Sequence, residues 1–153
     1  MINQLDNKSK MHLHLKIWQK LLEILMKKSK NNIPILLQSF GFKNKIPNNS
    51  DFMFDVRCLK NPFWDKKLKN LNGKSKKVIT FFETDKQTND MRKSIQKFLE
   101  KWIPTFLSMD RELITISIGC TGGKHRSVYL TEVLYKLLSV KYNNILIKHR
   151  DIK

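Results

Sequence analysis

Apolar residues return along this chain in two rhythms. Between 11 and 27, Leu15, Trp18, Leu21, Leu22, Leu25 and Met26 recur every three or four positions, the spacing of one helix face. The run closes on Lys27-Lys28-Ser29-Lys30, where cations suit a helix C-terminus. Met91, Ile95, Phe98, Leu99, Trp102, Ile103 and Phe106 repeat that spacing and predict a second helix, which Pro104 must kink or confine to its last turn. Short contiguous apolar runs predict strands at 33–40, 52–57, 78–82, 113–118 and 145–147, with Glu83, Thr84 and Asp85 closing the third as a polar strand end. Gly41 with Pro47-Asn48-Asn49-Ser50, and Asn61-Pro62 through Asn72-Gly73 to Lys77, read as loops.

A helix carrying Leu130, Val133, Leu134, Leu137 and Leu138 separates the last two strands, so strand, helix and strand make a βαβ unit. The expected fold class is α/β: a single compact domain over 11–153, with a mostly parallel sheet flanked by helices on its faces. Residues 1–10 are polar and expected to be a flexible N-terminus.

Between the strand at 113–118 and that helix lies Gly119-Cys120-Thr121-Gly122-Gly123-Lys124-His125-Arg126-Ser127. Adjacent glycines let backbone N–H groups turn into one concavity, and the following helix N-terminus adds partial positive charge, so an anion fits there. Lys124, His125 and Arg126 bring side-chain donors to the same place. The alternative is a βα turn whose glycines serve only tight packing. A nucleotide P-loop is excluded by spacing: three residues, not four, separate Gly119 from Gly123-Lys124, and His125 stands where Ser or Thr should hold magnesium.

Cys120 and Arg126 stand six positions apart, the spacing of a cysteine-dependent phosphatase loop, in which a thiolate attacks phosphorus and arginine clamps the oxygens. That alternative needs an acid for the leaving group, and Asp55 or Asp85 are the candidates. Otherwise Cys120 is a small buried hydrophobe. Asp55 and Arg57, two apart on a strand, share a side and form either a salt bridge or a second wall of the same cleft.

Charge then narrows the partner. Thirty basic residues against thirteen acidic give a formal net charge of +17, which attracts polyanions, nucleic acid above all. Only five of the basic residues are arginines, and in so lysine-rich a chain Arg57, Arg126 and Arg150 suggest places that need a planar fork. Two cysteines make no disulfide framework, and neither they nor His12 and His14 have metal-ligand spacing, so no metal or cofactor is expected. No apolar run approaches a membrane span and no secretory signal opens the chain, so a cytoplasmic protein without membrane contact is expected.

The run from Ile118 to Tyr129 around that loop, with Gln38-Ser39-Phe40-Gly41-Phe42-Lys43, Phe54-Asp55-Val56-Arg57, Asn61-Pro62 and the closing His149-Arg150, resembles the C-terminal domain of the RapZ (YvcJ) family. The resemblance implies an RNase adaptor that binds a small regulatory RNA, presents it to the endoribonuclease RNase E and senses glucosamine-6-phosphate. The phosphate pocket is then expected from Asp55, Arg57, Thr121, Gly122, Gly123, Lys124, His125, Arg126 and Ser127. RNA is expected on basic faces including Lys148, His149, Arg150 and Lys153, in a homo-oligomer. Against the family's pattern, Phe63 replaces the His of an Asn-Pro-His-Trp segment, and the basic tail ends sooner. The family's P-loop nucleotide-binding first domain is expected to be missing and nucleotide hydrolysis with it, and a remnant of a nucleotide-binding protein stands as an alternative.

Overall fold

The computed structural model describes residues 11–12, 14–22, 33–109 and 111–152, and the chain divides into a unit of Met1–Asn32 and a unit of Ile33–Lys153. In the first unit the described residues between 11 and 22 are helical, as their spacing predicts, and Leu15 and Trp18 are exposed on that helix. The N-terminal tail at 1–10 and the last expected turn, 23–27, lie outside the described residues.

The second unit is an α/β domain. Its strands are β1 (Ile35–Gly41), β2 (Phe52–Asp55), β3 (Ile114–Cys120) and β4 (Ile145–His149), and its helices are α1 (Lys76–Glu83), α2 (Lys86–Leu107) and α3 (Arg126–Ser139). The sheet runs β2-β3-β1-β4 and all three pairings are parallel. Register sets Ile35 beside Ile114 and Ile145, Leu37 beside Ile116, and Gly41 beside Cys120. The C-terminal ends of the two central strands, where parallel sheets gather ligands, therefore lie side by side.

Alternation along the strands makes the two faces unequal. One face carries Ile35, Leu37, Ile114, Ile116, Ile118 and Ile145, all in the buried core with Leu99, Ile103, Leu130 and Leu134 of the helices. α2 reaches the edge strand through Phe98, whose ring lies 5.5 Å from that of Phe52 and 5.6 Å from that of Phe54. Burying a leucine or isoleucine side chain there stabilises the fold by about 1.5–3 kcal/mol each. The other face carries Gln38, Thr115, Ser117 and Lys148, and the β1–β2 connection crosses it, with Ser50 Oγ 2.6 Å from Ser117 Oγ.

One expected strand is a helix. Val78-Ile79-Thr80-Phe81-Phe82 lies in α1, with Val78 and Phe82 buried one turn apart and the Phe82 ring stacked at 4.8 Å on Tyr129. A contiguous apolar run has no period of its own, so burial decides its form, and this one finds its partners on helices rather than on a sheet edge. Glu83, Thr84 and Asp85 consequently form a helix–helix junction, not a strand end. Asp85 caps α2: Oδ2 accepts from Thr88 N at 2.9 Å and Thr88 Oγ1 at 2.8 Å, and Lys60 Nζ lies 2.8 Å from Oδ1. Those bonds, Lys60's first, hold its pKa at about 2. Pro104 sits in the last turn of α2, which continues to Leu107.

Candidate functional site

The glycine loop leaves β3 at Cys120 and enters α3 at Arg126. The chain after β1 follows it closely: Phe42 N donates to Cys120 O at 2.8 Å and Lys43 N to Thr121 O at 3.0 Å. Gly123 has φ +68°, the left-handed region that glycine adopts without strain, and a side chain there would collide with Gly41 N and Asp151. Asp151 in turn accepts from Gly41 N at 2.7 Å and Asn44 Nδ2 at 2.5 Å, so the end of the chain braces the back of the loop. Among the described residues no protein acceptor is bonded to the N–H groups of Gly122, Gly123, Lys124 or His125.

Arg126 is 5% exposed. Its Nη1 donates to the carbonyls of Arg57 at 2.8 Å and Leu59 at 3.1 Å, and Nη2 donates to Thr121 Oγ1 at 3.1 Å. Nε is buried without a partner, and among the described residues no carboxylate lies within ion-pair distance of the guanidinium. A buried cation held only by neutral acceptors is costly until an anion joins it.

A cleft of about 550 Å³ opens in front of this loop, floored by Thr121, Gly122, Lys124 and Arg126. Lys43 lies on its rim, and Asn61, Phe63, Trp64, Lys69 and Asn70 form the far wall. That wall is tied to the loop from behind. Gly73 N donates to Lys124 O at 2.9 Å, and His125 Nε2 lies 3.2 Å from Leu68 O, which fixes the proton on Nε2 because a carbonyl only accepts. Burial lowers the His125 pKa from its ordinary value, so the ring is neutral and structural. On the wall, Asn61 Oδ1 accepts from Phe63 N at 3.3 Å, and Lys69 Nζ lies 4.7 Å from the Phe63 ring centre.

The residues singled out in the sequence fall into three groups. Thr121, Gly122, Lys124, His125 and Arg126 line the cleft together with Cys120. Gly123 shapes the loop from behind, and Ser127 is buried with Oγ 3.1 Å from Cys120 Sγ. Asp55 and Arg57 do not line the cleft: they pair with each other, Arg57 Nη2 to Asp55 Oδ2 at 2.6 Å, and the guanidinium stacks 4.1 Å over Phe42. Only the Arg57 carbonyl serves the site. The expected strand at 52–57 ends at Asp55, and the turn that follows folds Arg57 back onto it.

The phosphatase alternative has Cys120 and Arg126 at the cleft, but neither of its candidate acids lines it. Cys120 is 2% exposed, the Asp55 carboxyl is held ionised chiefly by its hydrogen bond from Arg57, and the Asp85 carboxyl is buried as a helix cap. Neither aspartate is placed to protonate a leaving group in the cleft. At the other end of the chain, Lys148 is exposed, whereas His149 turns inward between Ser39 Oγ at 2.8 Å and Glu132 Oε1 at 3.1 Å. Lys153 lies outside the described residues. The far wall was not among the expected site residues; its signals were two aromatics and lysines in one turn-rich segment and the family comparison at Phe63.

Comparison with known proteins gives the chain a family. The model of the RapZ C-terminal domain matches residues 33–153. A nucleotide-binding protein of Hahella chejuensis is 45% identical over 120 residues, which cover 78% of this chain and 42% of that protein. One from Acinetobacter baylyi is 47% identical over 119 residues, with 78% and 42% covered, and one from Pseudomonas syringae pv. tomato is 41% identical over 128, with 84% and 45% covered. The chain thus spans less than half the length of these relatives. No helix among the described residues is long and apolar enough to cross a membrane. On the extent of the family match, the chain belongs to the RapZ C-terminal domain family.

Proposed function

We propose that this domain is the ligand- and RNA-binding part of a cytoplasmic RNase adaptor, which senses a phosphosugar of the glucosamine-6-phosphate type and presents a small regulatory RNA to RNase E. The single observation that carries the ligand half is Arg126: a buried guanidinium with no ion-pair partner among the described residues, at the floor of a cleft ringed by free backbone N–H groups and by Lys43, Lys69 and Lys124. A phosphate supplies the missing charge and accepts from several donors at once. The sugar ring then lies toward Asn61, Asn70 and the Phe63–Trp64 pair, which offer amides for hydroxyls and aromatic faces for the ring's C–H edge.

The RNA half rests on the charge of +17 and on family membership. Contact is mainly to phosphates, so affinity falls steeply with salt.

Calorimetric titration with glucosamine-6-phosphate tests the ligand half, with inorganic phosphate and adenosine monophosphate as comparisons. The sensor reading expects saturable binding of the phosphosugar, tighter than of inorganic phosphate, retained in Cys120→Ser and lost in Arg126→Ala. Tighter binding of the nucleotide would transfer the cleft to the ligand class named in the relatives, and no binding of any phosphate would refute an anion site. Co-purification of a small RNA and of RNase E with the tagged domain tests the adaptor half.

A further inference from the structure

The glycine loop holds one group that anion binding does not use. Cys120 closes β3 at the start of the loop and contributes to the lining of the cleft, although it is only 2% exposed. Its sulfur is thus screened from open solvent and available to an anion seated in the loop. Ser127, fully buried in the first turn of α3, places Oγ 3.1 Å from Cys120 Sγ. A thiol attacks phosphorus as its thiolate, which a hydroxyl donor, a helix N-terminus and nearby cations favour. All three are present: the Ser127 hydroxyl, the start of α3, and Arg126 with Lys124 on the cleft lining. Arg126 independently marks a ligand here, because it is 5% exposed and its Nε has no partner.

What the cleft lacks is as specific as what it holds. Among the described residues no carboxyl group lines it: Asp55 is paired with Arg57, and Asp85 caps α2. His125 lines it as a neutral ring whose Nε2 proton is given to Leu68 O. Lysine, the remaining donor type, is a poor general acid at neutral pH. A sugar hydroxyl departs from phosphorus as an alkoxide and needs a proton as the bond breaks. A carboxylate or a nitrophenolate is stable as it leaves and needs none. The absent acid therefore selects the leaving group.

We propose that Cys120 is a nucleophile for phosphoryl transfer from acyl and aryl phosphates, compounds whose leaving group departs as a stable anion. The proposal rests on the anion-site half of the proposed function and adds a reaction to that site. In the first step the thiolate sulfur bonds to phosphorus, and the P–O bond to the leaving group breaks with its electron pair going to the carboxylate or phenolate. In the second, water attacks phosphorus and its two protons leave on dihydrogen phosphate. The S–P electron pair returns to sulfur, where the Ser127 hydroxyl donates to it. Phosphosugar esters bind in the same loop and stay intact, so sensing of esters and cleavage of acyl phosphates coexist.

The test is rapid-mixing release of nitrophenolate from 4-nitrophenyl phosphate, with inorganic phosphate binding followed by calorimetry on the same protein. The expected trace is a burst of about one equivalent, followed by slower turnover, with one phosphoryl group found on Cys120 by mass spectrometry. Cys120→Ser should abolish the burst and keep phosphate binding, while Cys58→Ser, an exposed thiol outside the cleft, should alter neither. Ser127→Ala should keep the burst and slow the later phase on the order of tenfold, the loss of one hydrogen bond to a charged group. Acetyl phosphate should be hydrolysed, and glucosamine-6-phosphate at least about 10²-fold more slowly, the usual contribution of a general acid. Phosphate binding without a burst, a burst that survives Cys120→Ser, or equal cleavage of both phosphates would overturn the proposal while leaving the anion site standing. Failure of inorganic phosphate and of every phosphate ester to bind would instead remove the anion site and this reaction with it.

Discussion

The two walls of the cleft are built on different principles. The glycine loop is a backbone device: its donors are N–H groups, its shape depends on one residue at φ +68°, and its cation is buried and held by carbonyls. The 61–75 wall is a side-chain device, with Phe63 at 44% and Trp64 at 81% exposed, joined to the loop by a few bonds such as Gly73 N to Lys124 O. A rigid wall suits the invariant part of a ligand, its phosphate. An adaptable one suits the part that distinguishes one phosphate ester from another.

Arg126→Ala should break the rigid wall most completely. It removes the cation that a phosphate would join, so phosphate titrations should become flat, and it leaves the Arg57 and Leu59 carbonyls unpaired, so denaturant unfolding should register a loss of about 1–3 kcal/mol, reduced by relief of the uncompensated charge. Gly123→Ala comes next, at about 1–3 kcal/mol from its backbone conformation, with the collision against Gly41 and Asp151 added and the same loss of phosphate binding.

Gly73→Ala strikes the adaptable wall instead. Its new methyl meets Tyr129 N and His125 O, so the segment must lift from the loop. The expected result is about 1–3 kcal/mol of lost stability, with phosphosugar affinity reduced more than inorganic phosphate affinity. Lys69→Ala should have the smallest effect, about 0.5 kcal/mol through the Phe63 ring contact, visible in phosphosugar affinity and not in the melting temperature.

His125 sharpens the comparison through pH. Its folded pKa lies below the ordinary 6.5, so the unfolded chain takes up its proton first. The stability from this residue is complete above pH 6.5 and is lost as pH falls from there through the folded value. Thermal melts should show that decline, and His125→Gln should flatten it.

The loop was legible because its parts are consecutive: Gly122, Gly123, Lys124 and Arg126 need no distant partner to be recognised as anion-binding chemistry. The other wall was not, because it becomes a wall only when Leu68 meets His125, 57 positions away. The same holds for Asp151 behind Gly41, 110 positions apart. α2 and α3 were readable from apolar spacing, whereas the run Val78 to Phe82 was misread as strand because both forms accept a contiguous apolar segment. Asp55 and Arg57 were read as neighbours and are neighbours, but β2 ends at Asp55 and the turn after it brings Arg57 onto that carboxylate and over Phe42.

By itself the sequence determined what local pattern can determine: a parallel α/β core, a glycine loop at the end of a central strand, an excess of positive charge. Tertiary structure alone decided that α1, α2 and α3 gather on one side of the sheet, that residues 61–75 close the cleft, and that Arg126 lies buried without an ion-pair partner among the described residues. The physical reason is range. Propensity and periodicity act over a few residues, while burial and electrostatic compensation depend on whatever the folded chain brings alongside.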